Sequence, residues 1–411
     1  MNLSNCAPSE SYSTSRFIVI ITASAVSAFG LLSNLLLIVA FGLLLKASLQ
    51  KDRQWSNDVV YTPVCQKLSK EDPDEVKLEL QRSLFLEKTR SRKTQYLYLS
   101  LLAAFDASMC LCFCVIYGWD ALALYLRNEA IYLSYHKVVI VTFAYNRVIE
   151  LAIPFLYVLA TCEKWLQSSE RQGCPQKFTS LVTADLARII FSLFMCLSCL
   201  VVRLPTLWTI ELIRFPNCTE PCRSITIAPV QAELVDMYNV VELYLGNIFG
   251  VFLPCLVLLA LNAAILRNMR AARQKAAFMK AMAMCKPVSV CSKVDRKVSA
   301  VVRPIISEHE EEEKRRLKEA HDTTISIAML VSSYLLCTAP SVVLTVVEHF
   351  CLNCLLNQDY TSNDLYNIWS DVVSILAMAN STLAFFVLIK CDGQIRNQVS
   401  RMVSKATLLF G

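Results

Sequence analysis

Seven times along its 411 residues the chain runs predominantly apolar for more than 20 positions, and few folds accept that pattern. The stretches are Phe17–Leu45, Gln95–Gly118, Val138–Glu163, Leu186–Ile210, Val240–Leu266, Thr323–Val347 and Ile368–Ile389. A hydrocarbon core about 30 Å thick takes roughly 20 helical residues to cross, so each is long enough. Within lipid the backbone must satisfy its own hydrogen bonds, which a helix does inside one segment. Phe17–Leu45 is the plainest, with 29 residues and no charge, whereas Val138–Glu163 holds Arg147 and Glu150. Apolar residues make up 55% of the chain, charged residues 18%, and mean hydropathy is +0.45, which leaves too little polar surface for a soluble globule. The expected fold class is an all-α membrane protein, a bundle of seven transmembrane helices with lipid as its immediate partner. The net charge of +6 is modest, and no nucleic-acid partner is expected.

Lysine and arginine concentrate on cytoplasmic segments and so set the orientation. Of 40 such residues, 33 fall in the tail and in the segments after spans 1, 3 and 5, counting Arg188 at the start of span 4. Only 5 fall in the amino end and the segments after spans 2, 4 and 6. The expectation is a multi-pass plasma-membrane protein with residues 1–16 extracellular, 17–389 the seven-span domain and 390–411 a cytoplasmic tail. The first 15 residues are polar, so span 1 is expected to act as its own insertion signal. Asn2-Leu3-Ser4 and Asn217-Cys218-Thr219 are glycosylation sequons on the expected outside, while Asn380-Ser381-Thr382 lies inside span 7 and is unusable.

Two inner segments are long, 46–94 and 267–321. The first contains Asp72-Pro73-Asp74-Glu75 and reads as disordered or weakly helical. The second begins with Arg267, Arg270, Arg273 and Lys275 and ends in the acidic run Glu310–Glu313. Glu308 to Lys318 reads as a charged helical extension of span 6, a solvated face or a contact for a cytosolic partner. No internal repeat is visible, which argues against repeat-built transporters.

Of 18 cysteines most lie in or near spans, where thiols behave as small hydrophobes. Cys6, Cys218, Cys222, Cys351 and Cys354 fall outside, where bridges form. Cys351 and Cys354 are expected either to pair with each other or to tether the amino end through Cys6. A metal site is not expected, because His349 has no second ligand pair beside it.

Ionisable groups within spans cost roughly 2.5–3.5 kcal/mol each on insertion scales, so they usually face a partner or a cavity. Asp106 in span 2 and Asn380 in span 7 are expected to share a polar pocket. Arg147 and Glu150 stand three apart on one helix face and can pair. Arg203, Glu211, Glu242, Glu348 and Asp371 stand near the outer ends. They read either as side chains snorkelling to headgroups or as the lining of a water-accessible cavity for a polar ligand. Acids outnumber bases there, which favours a cationic ligand.

Several short motifs recur in a definite order. Gly30-Leu31-Leu32-Ser33-Asn34 in span 1 is followed by Leu99-Ser100-Leu101-Leu102-Ala103-Ala104-Phe105-Asp106 in span 2 and by Thr161-Cys162-Glu163-Lys164-Trp165 at the end of span 3. Leu204-Pro205-Thr206-Leu207-Trp208, Phe252-Leu253-Pro254, Tyr334-Leu335-Leu336-Cys337-Thr338-Ala339-Pro340 and Asn380-Ser381-Thr382 follow. In this order the chain resembles the rhodopsin-like G-protein-coupled receptors, and most looks like the FMRFamide-type neuropeptide receptors of invertebrates, over roughly Phe17 to Val399. The resemblance implies a sodium ion or core polar pocket at Asp106, Asn34 and Asn380. It implies coupling to a heterotrimeric G protein through Glu163, Lys164, Trp165, Pro254, Cys337 and Pro340, and a short amphipathic helix over Gln394–Ser404. It also implies an extracellular peptide ligand, for which Arg147, Glu150, Glu211, Glu242, Glu348 and Asp371 are the candidate contacts. The sequence departs from the family's pattern at Lys164, where the family has arginine, and at Ala384-Phe385-Phe386-Val387-Leu388, where it has a polar Asn-Pro motif. It also lacks the family's span 4 tryptophan near Met195 and has Val139 near the place of the family's span 3 cysteine.

Proline at 254 and 340 frees a carbonyl in each helix and makes a hinge, through which a ligand at the outer ends can bias the inner face. Three other readings stay open: a nematode-type chemoreceptor for small molecules, a non-signalling receptor variant, and a transporter or channel. No enzyme is expected, since the sequence carries no nucleophile–base pair, metal set or phosphate loop. No cofactor is expected beyond sodium.

Overall fold

The computed structural model describes Cys6 and residues 13–61, 95–170, 185–218, 222–230, 249–284, 324–344, 346–347 and 364–410. Asn2, Glu242, Glu348, Cys351, Cys354, the acidic run Glu310–Glu313 and residues 62–94 lie outside the described residues.

Helix α1 spans Thr14–Tyr61, and Ser13 Oγ caps its start by accepting the Arg16 N–H at 3.2 Å. It runs well past the expected end at Leu45 into the first inner segment. Lys46 to Trp55 is built of helix formers, with no glycine or proline before Pro63 to stop it. Helix α2 spans Gln95–Leu126 and opens into a π turn over Cys114–Trp119. Helix α3 spans Glu129–Glu170 and carries Pro154 in its interior. The junction of α2 and α3 is far tighter than the expected segment 119–137. It is a turn at Arg127, left-handed at φ 52°, and Asn128, whose side chain caps α3 by accepting the Ile131 N–H at 3.2 Å. Apolarity fades at Gly118 and returns at Val138, but the residues between are good helix formers, so the helices outrun the hydrophobic pattern.

Helix α4, Asp185–Arg203, ends in a 3₁₀ turn over Leu204–Trp208 with Pro205 near its start. The chain then forms strand β1, Ile210–Arg214, paired antiparallel with β2, Ile225–Pro229, with Leu212 opposite Ile227. This hairpin stands outside the helical bundle and moves Ile210 out of span 4. The β-branched pattern Ile-Glu-Leu-Ile and Ile-Thr-Ile is what the apolar run concealed. Helix α5, Leu253–Met284, follows a π turn at 249–252, just where Pro254 withholds a backbone donor. Helix α6 is Thr324–Leu344 and α7 is Asp364–Cys391. Helix α8 is Gly393–Phe410, longer than the expected Gln394–Ser404. Asp392 joins α7 to α8 by accepting the N–H groups of Gln394 at 2.9 Å and Ile395 at 3.3 Å.

Seven of these helices are long and apolar enough to cross a membrane, the mark of a multi-pass membrane protein. Their contacts alternate in direction. The start of α1 meets the end of α2 through stacked Phe17 and Tyr125, 3.8 Å between ring centroids. Farther along α1, Phe41 meets Tyr96 at the start of α2. We call the end of the bundle at Arg16 the N face and the end at α8 the C face. Arg16 also grips Asp371 at the start of α7, with nitrogen–oxygen distances of 2.9 and 3.0 Å.

Small residues bring α1, α2 and α7 together, as expected where lipid gives helices no hydrophobic reason to associate. A Cβ on Gly30 would overlap Thr382 Oγ1 on α7 and come within 2.9 Å of Cys110 Sγ on α2. A Cβ on Gly118 would lie 2.6 Å from Ser24 Oγ on α1. Ser27 Oγ donates to the Cys110 carbonyl at 2.8 Å across the same seam. Around it one buried cluster draws on α1 (Leu37, Phe41), α2 (Leu99, Leu102), α3 (Ile149, Leu156), α5 (Leu258), α6 (Leu330, Val331), α7 (Ala384, Leu388) and α8 (Ile395, Val399). Gly30→Ala should therefore lower stability by about 1–3 kcal/mol through overpacking, read as a fall in detergent melting temperature. Gly42→Ala, where a Cβ meets nothing within 4 Å, should leave it nearly unchanged.

Candidate functional site

Two cavities lie one above the other, the deeper lined from α1, α2, α3, α6 and α7 and the upper from α2, α3 and α7. The deeper is about 10 Å³, close to the room of a single water, and is lined by Asn34, Asp106, Tyr157, Ala384 and Leu388 among others. Asp106 is buried and accepts a hydrogen bond from Ser381 Oγ at 2.8 Å. Asn34 donates to the carbonyls of Gly30 at 3.0 Å and Ser381 at 2.9 Å, while its own Oδ1 is buried without a partner. The spacing from Gly30 to Asn34 is one helical turn, so the residue that lets α7 approach stands directly above the residue that bonds it. Asn380, expected to share a polar pocket with Asp106, is buried on α7. It accepts from Ser333 Oγ on α6 at 3.2 Å, and its neighbour Ser381 takes the bond to the carboxylate.

No lysine or arginine among the described residues pairs with Asp106. What the pocket offers is oxygen: a carboxylate, a hydroxyl and the orphaned amide oxygen of Asn34. That donor set fits a small hard cation such as sodium or a water molecule. Tyr157, fully buried and 5.1 Å from the Tyr334 ring, forms the wall toward α6. Ala384 and Leu388 make the wall toward the C face apolar, at the residues where the polar motif is missing.

The second cavity, about 30 Å³, lies one to two helical turns nearer the N face. Met109, Phe113, Tyr117, Asn146, Glu150, Ser374 and Met378 line it. Its volume admits a small head group, not a whole ligand. Glu150 is the one acid on its wall. Asn146 Nδ2 donates to one carboxylate oxygen at 2.7 Å and Arg147 to the other at 3.3 Å. Arg147 also stands 5.1 Å from the Phe143 ring. Across the cavity the Tyr117 hydroxyl, within the π turn of α2, bonds Ser374 Oγ of α7 at 2.7 Å.

Of the other expected ligand contacts, Glu242 and Glu348 lie outside the described residues, and Glu211 and Asp371 do not join Glu150. Glu211 is exposed on β1, opposite Ala228. Asp371, one turn above Ser374, is held by Arg16. Arg203 is buried at the end of α4. The acids read as one convergent rim are thus, among the described residues, one cavity acid, one ion-paired acid and one strand acid.

Toward the C face, Glu163, Lys164 and Trp165 are half-buried near the end of α3. Pro254 is buried in α5, Cys337 is half-buried in α6, and the Pro340 carbonyl accepts from the Trp369 indole at 3.3 Å. Tyr96 of α2 donates to Gln394 of α8 at 2.6 Å, which fixes the eighth helix against the bundle.

On the N face the hairpin covers the α2–α3 turn. Tyr132 donates its hydroxyl to the Ile225 carbonyl, and Ala123, Tyr132, Cys222 and Ile225 form a small apolar cluster. Cys6 is bridged to Cys218, not to Cys351 or Cys354. Cys222, also expected to bridge, is a buried free thiol donating to the Ala123 carbonyl at 3.7 Å. Burial pushes its thiol up, Glu129 adds to the shift and Arg127 opposes it, so the group stays protonated and unreactive. Asn217 is exposed in the turn beside the bridge.

Tyr117, Asn146, Tyr157 and Ser374 escaped the sequence reading because a hydroxyl or amide inside an apolar run signals nothing until its neighbours are known. Arg16 escaped because its partner lies 355 residues away. No protein-family model matches the chain, and no curated protein is detectably similar to it in sequence.

Proposed function

We propose that the chain is a plasma-membrane receptor of the G-protein-coupled type, with its N face outside, whose ligand presents a cationic group to Glu150. The observation that carries this reading is the placement of the Glu150 carboxylate, in a cavity between three helices and about one turn above the Asp106–Ser381 pair. A ligand cation there competes with Arg147 and presses on the Tyr117–Ser374 bond. It acts on α2 and α7, the helices that close the Asp106 pocket beneath. Sodium in that pocket would hold α1, α2 and α7 together through oxygen donors, and the prolines of α5 and α6 supply the bends by which the C face opens to a G protein. Peptides ending in Arg-Phe-amide are the ligand class implied by the resemblance, and their guanidinium suits Glu150.

Three measurements test this. In cells expressing the chain, Glu150→Gln should weaken the second-messenger response to Arg-Phe-amide peptides at least about tenfold, the loss of roughly 1.4 kcal/mol of charged pairing. An unchanged response in Glu150→Gln, Glu242→Gln and Glu348→Gln alike sinks the ligand assignment. Purified protein should melt higher in sodium chloride than in choline chloride, and Asp106→Asn should abolish that difference. Lysine at 164 keeps the charge but lacks the planar fork of arginine, which favours a second reading, a receptor that binds without signalling. A response gained only by Lys164→Arg would select it.

A further inference from the structure

We propose that bridging of Cys218 to Cys6 and glycosylation of Asn217 compete for one segment, so that their order during synthesis sets how much of the chain carries a sugar there. The proposal rests on the reading that the N face is outside. The sequon is Asn217-Cys218-Thr219, and its middle residue is the bridged cysteine. In the finished fold Asn217 is exposed, so a sugar has room. The described backbone on its amino side is tied by hydrogen bonds. The Cys218 N–H donates to the Phe215 carbonyl at 3.1 Å, the Phe215 N–H donates to the Ser224 carbonyl at 2.8 Å, and the bridge pins Cys218 to the amino end. An enzyme that must draw the sequon into its own site can do so only before this turn is closed.

The timing makes the contest close. Cys6 is synthesised 212 residues before Cys218. At about 5–20 residues per second it precedes its partner by roughly 10–40 s. Its thiol is therefore already on the N face when Asn217 arrives, and disulfide formation begins on the scale of seconds. Cys222 offers no alternative partner once the hairpin is seated, because its thiol is buried against Ala123.

Both reactions balance. In the first, the thiols of Cys6 and Cys218 form an S–S bond and pass two electrons and two protons to a disulfide oxidant of the secretory compartment. In the second, Asn217 Nδ2 attacks the anomeric carbon of a lipid-pyrophosphate-linked oligosaccharide. An N–C bond forms, the C–O bond to pyrophosphate breaks, and the amide proton is lost. Whichever completes first hinders the other, by locking the turn or by placing a bulky sugar next to the incoming thiol.

The test uses the full chain carrying Asn2→Gln, which leaves Asn217 the only sequon outside the spans. It is translated into glycosylation-competent membranes, and the glycosidase-sensitive gel shift is compared for this chain, for the same chain with Cys6→Ser, and for the Cys6 chain made under reductant. The expected result is partial modification of the first, and a shift of most of the unmodified form to the slower band in both others. The reductant arm needs no substitution, so misfolding of Cys6→Ser cannot imitate the result. Equal modification in all three arms overturns the competition, as does absence of sugar from all three. In the latter case the Asn217→Gln chain, which keeps Asn2, tells the two failures apart. Sugar on Asn2 leaves the topology standing, and none on either site removes both.

Discussion

Everything in the bundle depends on how closely α7 can approach α1 and α2. Lipid tails are as apolar as leucine, so helices in a bilayer gain by packing and hydrogen bonding and not by escaping solvent. Gly30 removes the one Cβ that would hold α7 away from α1. With the backbones close, Asn34 reaches the Ser381 carbonyl, and Ser381 in turn reaches Asp106. A methyl group at position 30 would overlap Thr382 Oγ1 and come within 2.9 Å of Cys110 Sγ, one turn above the bonds of Asn34. The seam is thus a geometric condition first and a hydrogen-bond network second.

That condition explains why polar groups are tolerated here at all. A buried carboxylate without a partner is too costly to keep for packing alone. Asp106 is accommodated because three helices bring oxygen and hydroxyl groups to one small pocket. Immediately above it the second cavity repeats the arrangement with more room and a more accessible acid. The two lie along the same helices without a lining residue in common: Met109 lies one turn above Asp106, and Met378 one turn above Ser381.

How much of this was legible depended on the range of the interaction. Apolar length alone located all seven spans, and the resemblance singled out Asn34, whose bond to the Ser381 carbonyl of α7 only the structure supplies. Where one physical signal stood in for another, the reading slipped. Apolarity was read as membrane helix at Ile210, where alternation of β-branched residues makes a strand. Loss of apolarity was read as loop at Tyr125 and Tyr132, where the helices continue beyond any bilayer. The pairing of Cys6 with Cys218 was not among the alternatives read, because five outer cysteines admit many pairings and chain order does not say which loop folds over which. Asn380 and Ser381 are adjacent, yet the 100° between them on a helix sends one to α6 and the other to α2.

The length of α1 has a mechanical meaning. Its 48 residues make a rod of about 72 Å, against a hydrocarbon core of about 30 Å. The rod is clamped near its top by Arg16 to Asp371 and near its middle by Asn34 to α7, and its far end overhangs the C face. A lever so mounted magnifies. A tilt of 5° about the Asn34 clamp carries Tyr61, 27 residues or roughly 40 Å away, through about 3.5 Å. Such a tilt would be felt enlarged at the surface beyond the bundle, provided the Arg16–Asp371 contact gave with it.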